Sequence, residues 1–347
     1  MQDNYISRKK PSYKITEDLR KYLKRHEREF EVSIAYDDLL RFSGGIEIYD
    51  KDDNDTFWLS VYYNEFEKNE IDTALKHIYS KLHYDGKNTI HKYLIIESID
   101  FCTFGNSKPF RIKIRNSLNQ NYTYFYVKQA DSSRIYGLEL EELLSPNNIH
   151  FIVHKDTLIE EHIIGIPGDI YIKERLDKAP KLSKSQIAKE FVKFNERCFI
   201  RLLGDMRSYN YVFVLSHDFD RIQYRLRAID FDQQSFEGAV NIYKPQFFKE
   251  NFKLVDLASN ILSKESIEQY IIEERSAIAR RAISEYDRLY HLITCMQNDC
   301  ISLEKHINKL KTDLFKLTND VNFKHSKNMG DILKASIDFV IRNYKSE

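Results

Sequence analysis

The period of the apolar residues changes along this chain near Pro180, and that change narrows the folds open to it. Before it, apolar residues sit in short runs between turn residues. Tyr93-Leu-Ile-Ile-Glu-Ser-Ile-Asp-Phe reads as a strand, Phe104-Gly-Asn-Ser-Lys-Pro as a turn, and Arg111-Ile-Lys-Ile-Arg alternates as a half-buried strand does. A turn over 116–121 leads to the strand Tyr122-Thr-Tyr-Phe-Tyr-Val-Lys, and a short helix is predicted over 132–145, stopped by Pro146. Phe151-Ile-Val-His and Thr157-Leu-Ile-Glu-Glu-His-Ile-Ile are two further strands, broken by Gly165-Ile-Pro-Gly. Beyond Pro180, Ile187, Phe191, Phe194 and Cys198 fall at i, i+4, i+7 and i+11, one face of a helix. Asn210–Leu215 and Tyr224–Asp230 form a single hairpin, and from Phe252 onward only helices are expected.

Upstream, 12–30 reads as a solvated helix with Leu19, Leu23 and Phe30 among many charges. Ile46-Glu-Ile-Tyr and Phe57-Trp-Leu-Ser-Val-Tyr-Tyr are strands around the turn Lys51-Asp-Asp-Asn-Asp. Ile71, Ala74, Leu75, Ile78 and Leu82 return to helical spacing. No repeat of 20 to 50 residues is present.

A chain of 347 residues favours two lobes or domains, and 42% apolar with 31% charged residues supports a real core under a solvated surface. Fifty-three basic and 53 acidic residues cancel, which argues against whole-molecule attraction to nucleic acid or an anionic membrane. Cys102, Cys198, Cys295 and Cys300 have no zinc-like spacing and read as reduced thiols of a cytoplasmic protein. The first ten residues lack the apolar run of a leader, and no stretch approaches the ~20 apolar residues of a membrane span.

The strongest chemical signal is Leu203-Gly-Asp205-Met-Arg207-Ser-Tyr-Asn210-Tyr-Val-Phe-Val, followed by Ala228-Ile-Asp230-Phe-Asp232-Gln. The spacing Asp-x-x-x-x-Asn and the later Ile-Asp-Phe resemble the catalytic loop and metal-binding motif of the protein-kinase superfamily. The Gly-Asp opening is similar to its atypical branch: aminoglycoside and choline phosphotransferases, phosphatidylinositol kinases and HipA-type kinases. The resemblance implies an α+β, bilobal protein-kinase-like fold with a β-rich N-lobe and a mainly helical C-lobe. It also implies ATP and Mg²⁺ as cofactors, with Asp205 as catalytic base, Arg207 near the γ-phosphate, and Asn210 and Asp230 as Mg²⁺ ligands. Phosphoryl transfer explains the pattern, because it needs an oriented hydroxyl and hard oxygen ligands around the metal. Read without the resemblance, Gly204-Asp205 is a surface turn and Asp230 a strand-end carboxylate.

Lys128, at the end of Tyr126-Val127-Lys128, resembles the strand lysine that holds the α- and β-phosphates; otherwise it is a strand-end lysine with a solvated head. On the next helix Ile135, Leu138, Glu139 and Glu142 share a face, and Glu139 is expected to pair with Lys128. Glu160-Glu161-His162, leading into Gly165-Ile-Pro-Gly, resembles the interlobe hinge that meets adenine, with His162 read as a polar hinge residue. Three segments follow: 1–92 as an N-terminal extension or elaborated N-lobe, 93–162 as the kinase-like N-lobe, and 163–347 as the helical C-lobe.

The chain departs from the family in two places. It has no GxGxxG, so Ser107, Lys108 and backbone amides are candidates to cover the phosphates. It also has no activation segment ending in Ala-Pro-Glu. The expected function is transfer of a γ-phosphoryl group to a hydroxyl of a protein or small molecule. The alternatives are a pseudokinase or nucleotide-binding scaffold, or an enzyme that moves AMP. Partners are then a nucleotide and an unknown phosphoacceptor, with neither nucleic acid nor membrane. Glu237, Glu250 and Asp256 are candidates for an acidic substrate wall.

Overall fold

Alternation and helical spacing place most elements where the pattern puts them. In the computed structural model, residues 10–84, 91–105, 107–218 and 221–344 are described. The residues read for a leader lie largely outside them. In chain order the elements are α1 (Glu17–Arg25), α2 (Tyr36–Leu39), β1 (Gly44–Tyr49), β2 (Asp55–Tyr62), α3 (Glu65–Tyr84), β3 (Leu94–Cys102), β4 (Phe110–Asn116), β5 (Tyr122–Gln129) and α4 (Ser132–Leu144). Then come β6 (Phe151–His154), β7 (Thr157–Glu161), β8 (Ile166–Pro167), α5 (Gly168–Glu174), α6 (Lys181–Arg201), β9 (Tyr211–Asp218) and β10 (Arg221–Ala228). The chain continues with α7 (Phe252–Ile261), α8 (Lys264–Ser284), α9 (Tyr286–Gln297), α10 (Glu304–Thr318), α11 (Val321–His325) and α12 (Met329–Tyr344). The architecture is α+β, sheet-rich in the N-terminal region and mostly helical after it. Among the described residues no helix is long and apolar enough to cross a membrane.

The chain forms two compact units, each built from two stretches: Met1–Asp131 with Ile149–His162, and Ser132–Asn148 with Ile163–Glu347. In the first, one antiparallel sheet runs β1-β2-β3-β4-β5-β7-β6. Period two sorts its faces. Ile99, Ile112, Phe125 and Val127 point into a core shared with Leu39 of α2 and Ile71, Leu75 and Ile78 of α3. The opposite face carries a polar rung through paired Ser60, Asp100, Arg111, Tyr126 and Glu160. Helix α1 was expected to be solvated, yet Leu19, Tyr22 and Leu23 are fully buried. Its charges occupy the remaining face, and Thr16 caps its first turn.

The second unit holds the small sheet β10-β9-β8 and the helices α4 to α12. Gly165-Ile-Pro-Gly, read as a break, contains β8, whose Ile166 and Pro167 pair with Phe213 and Val212 of β9. A two-residue strand carries no readable alternation. Helix α4 is buried from Ser132 to Glu141, so it has no single core-facing stripe. Its Glu141 ion-pairs with buried Arg201 of α6. Burial pushes the Glu141 carboxyl up, but Arg201, Asn147 and Ser145 outweigh that and hold it below its ordinary range.

Candidate functional site

Helix α6 ends with Leu202 in the left-handed region (φ 56°), which turns the chain abruptly into Leu203-Gly204-Asp205. Gly204 is required by close approach: a Cβ there would lie 2.8 Å from Ile242 Cγ2 and 3.1 Å from the Gln233 carbonyl oxygen. Asp205 is itself left-handed, with φ 58°. Three backbone-centred bonds hold it there. Its N–H donates to the Ile242 carbonyl at 3.1 Å, and its own carbonyl accepts from the Arg207 N–H at 2.8 Å and from Asn210 Nδ2 at 2.7 Å. The Asn210 carbonyl then accepts from the Ile229 N–H at 3.0 Å, which ties the loop to the residue before Asp230. Buried Asn251 secures the same loop from below. Its Nδ2 donates to the carbonyls of Met206 and Pro245 (2.9 and 2.8 Å), and its Oδ1 accepts from Tyr211 Oη at 2.7 Å.

Asp205, Arg207, Asn210 and Asp230 therefore meet within one unit. Arg207 Nε lies 3.0 Å from Asp205 Oδ1, and its Nη1 lies 2.7 Å from Glu250 Oε1, so this arginine spans two carboxylates. The Tyr209 hydroxyl beside them is pushed above its ordinary value, first by burial and then by the carboxylates of Asp205, Glu250 and Asp230, against the opposing charge of Arg207.

Sequence reasoning missed the cation at Asp230. Arg134, in the first turn of α4, places one nitrogen, Nη1, 2.8 Å from Asp230 Oδ1 and 2.6 Å from Asp232 Oδ1. The Asp232 N–H also donates to Asp230 Oδ1 at 3.2 Å, which folds the two acids toward each other. Gly137 lets α4 approach this segment, since a Cβ there would fall 2.9 Å from Phe231 Cβ. The doubled acid in Asp230-Phe-Asp232 was a readable signal for a second carboxylate; nothing local marks Arg134, 96 residues upstream of Asp230.

The remaining candidates divide between the units. Lys128 is not solvated: its side chain is 8% exposed, and Nζ lies 2.6 Å from Glu160 Oε2 on the neighbouring strand β7. Register explains the pair, since Lys128 opposes Leu158 and Tyr126 opposes Glu160, so lysine and glutamate are diagonal neighbours on one sheet face. Glu139, expected to serve Lys128, is fully buried in the helical unit, where its carboxylate takes two bonds from Arg288 Nη2 (2.7 and 3.0 Å). Glu161 accepts the His150 N–H at 3.0 Å, and His162 Nδ1 is 3.1 Å from Tyr126 Oη. Burial, reinforced by Arg111, lowers the His162 pKa, which favours the neutral ring. Asn106 lies outside the described residues.

Asp230, Asp232 and Asn210 offer oxygens of the hardness Mg²⁺ prefers, and the commitment of Asn210 Nδ2 to a carbonyl sets its Oδ1 as the amide's ligand atom. Among the described residues no group of three or more His, Cys, Asp or Glu side chains is arranged to hold a metal. No family model matches the sequence, and no curated protein matches it.

Proposed function

We propose that this chain is an ATP- and Mg²⁺-dependent phosphotransferase that acts on a hydroxyl of a protein or small molecule. The observation that carries the reading is the strained turn at Asp205, closed by Asn210 and joined through Ile229 to Asp230. Strain of this kind persists where surrounding structure over-determines it, and it concentrates at functional sites. In this reading Asp205 accepts the proton of the attacking hydroxyl, and Arg207 fixes the Asp205 carboxylate while adding positive charge nearby. Asn210, Asp230 and Asp232 hold the metal. The bound ion would neutralise charge on the β- and γ-phosphates.

A second reading, a scaffold that performs no transfer, is favoured by one observation: Arg134 already neutralises Asp230 and Asp232. A thermal-shift series with ATP, GTP and ADP, each with and without Mg²⁺, separates the cases. Ligand present at 100 times its Kd adds about 2.7 kcal/mol to stability, a readily measured rise in Tm. Mass spectrometry after incubation with ATP then reports autophosphorylation. A metal-dependent nucleotide shift with phosphate incorporation is the expected result; a shift without incorporation supports the scaffold. No shift at millimolar nucleotide removes both readings.

A further inference from the structure

The Arg134 guanidinium sits where a divalent ion would be expected to bind. Its side chain is 3% exposed, against 35% for Asp230 and 18% for Asp232, so the cation is buried under carboxylates whose outer sides reach solvent. One nitrogen, Nη1, bonds an oxygen of each acid, so two negative groups converge on the guanidinium. The support is rigid. Ser133 Oγ donates to the Gln234 carbonyl at 2.6 Å, and Gly137 packs on Phe231, fastening the first turns of α4 to the segment that carries both acids. An arginine is never deprotonated in a protein, so no change of pH removes this charge. A competing cation can nonetheless take its place at the carboxylates.

We propose that Arg134 is a resident counter-cation of the Asp230–Asp232 pair, and that a divalent metal ion binds there only by displacing it. The inference rests on the phosphotransferase reading for the identity of the metal site. Tethered charge sets the balance. The guanidinium is always present at its carboxylates, so a free divalent ion must overcome a partner whose local concentration is high. Displacement also takes the guanidinium off both carboxylates, and phosphate oxygens match its forked donors. Divalent ion alone therefore binds weakly, and the ion arrives most readily with a nucleotide.

The test uses Mn²⁺ without nucleotide, titrated by isothermal calorimetry into the full-length wild type, Arg134→Gln, and Arg134→Gln combined with Asp230→Asn. Arg134→Gln should bind Mn²⁺ at least tenfold more tightly than wild type, and the added Asp230→Asn should remove that gain. Arg134→Gln leaves two carboxylates facing each other, so a melting curve first establishes that it folds. The wild type supplies an independent arm: the Arg134 Nε–Hε resonance, assigned with Arg134→Lys, should move as Mg²⁺ is added. Equal or weaker Mn²⁺ binding by a folded Arg134→Gln overturns the proposal. So does an Arg134 resonance that stays fixed up to the highest Mg²⁺ concentration used. Both arms omit nucleotide and turnover, so an absence of phosphate transfer leaves this proposal standing. A nucleotide shift accompanied by unchanged Mn²⁺ affinities in Arg134→Gln sinks the counter-cation alone.

Discussion

Asp205 combines two demands that can be separated by choice of substitution. With φ at 58°, its backbone lies where Cβ crowds the following carbonyl, which costs an ordinary L residue roughly 1–2 kcal/mol and asparagine or aspartate less. Its carboxylate is the base of the proposed reaction. Asp205→Asn keeps a residue that tolerates the left-handed turn while removing the proton acceptor. Asp205→Ala removes both. We expect the two variants to lose transfer alike, on the order of 10²-fold or more, with nucleotide affinity nearly unchanged, because the carboxylate addresses the acceptor hydroxyl. Thermal melts should differ: Asp205→Asn close to wild type, Asp205→Ala lower by about 1 kcal/mol. Full activity in Asp205→Asn would leave the turn as a purely structural feature.

At the scale of elements, α4 and the segment after β10 act as one packed piece, and Gly137 is the contact that allows it. In an isolated helix Gly→Ala gains about 1 kcal/mol. Here the added Cβ would meet Phe231 Cβ at 2.9 Å and Gln234 Cβ at 3.2 Å, both in buried residues. Overpacking of that kind typically costs 1–3 kcal/mol. Gly137→Ala is therefore expected to lower stability despite better helix propensity and, by shifting Phe231, to weaken divalent-ion binding at its neighbours Asp230 and Asp232. A melt at or above wild type would show that the helix gives way at no cost. Such contacts also mark what the sequence could reveal. The strands of the large sheet were legible because Arg111-Ile-Lys-Ile-Arg and its neighbours alternate, and the grouping of Asp205, Arg207 and Asn210 because they lie within one short stretch of chain. The partners of Glu139 and Asp230 were not, since Arg288 and Arg134 lie 149 and 96 residues away and no local pattern announces a long-range ion pair. The sequence points to Glu139 as the partner of Lys128, because the pairing with Glu160 depends on the β5–β7 register, which the sequence does not state.

For the whole molecule, the telling fact is that the helical unit is not contiguous: it takes Ser132–Asn148 from the middle of the sheet unit's sequence. That insert supplies Glu141 to buried Arg201, Glu139 to Arg288, and Tyr136 Oη to Asp299 at 3.1 Å. It also buries Ile135, Leu138, Leu140, Leu143 and Leu144. Five aliphatic side chains at 1.5–3 kcal/mol each give on the order of 10 kcal/mol as an upper estimate, comparable to the whole stability of a typical domain. Loss of Glu141 adds an uncompensated buried charge at Arg201, worth a further 3–5 kcal/mol in comparable cases. A fragment spanning 163–347 should therefore lack a cooperative thermal transition and a near-ultraviolet circular dichroism signal, although its helices still give far-ultraviolet intensity. Adding a peptide of residues 132–148 should restore both, with a midpoint that rises with peptide concentration as mass action requires. A peptide carrying Glu141→Gln should restore them less well, because the amide cannot neutralise Arg201. If the bare fragment melts cooperatively at the temperature of the intact chain, α4 is an accessory to the helical unit and its buried ion pairs contribute nothing to holding it together.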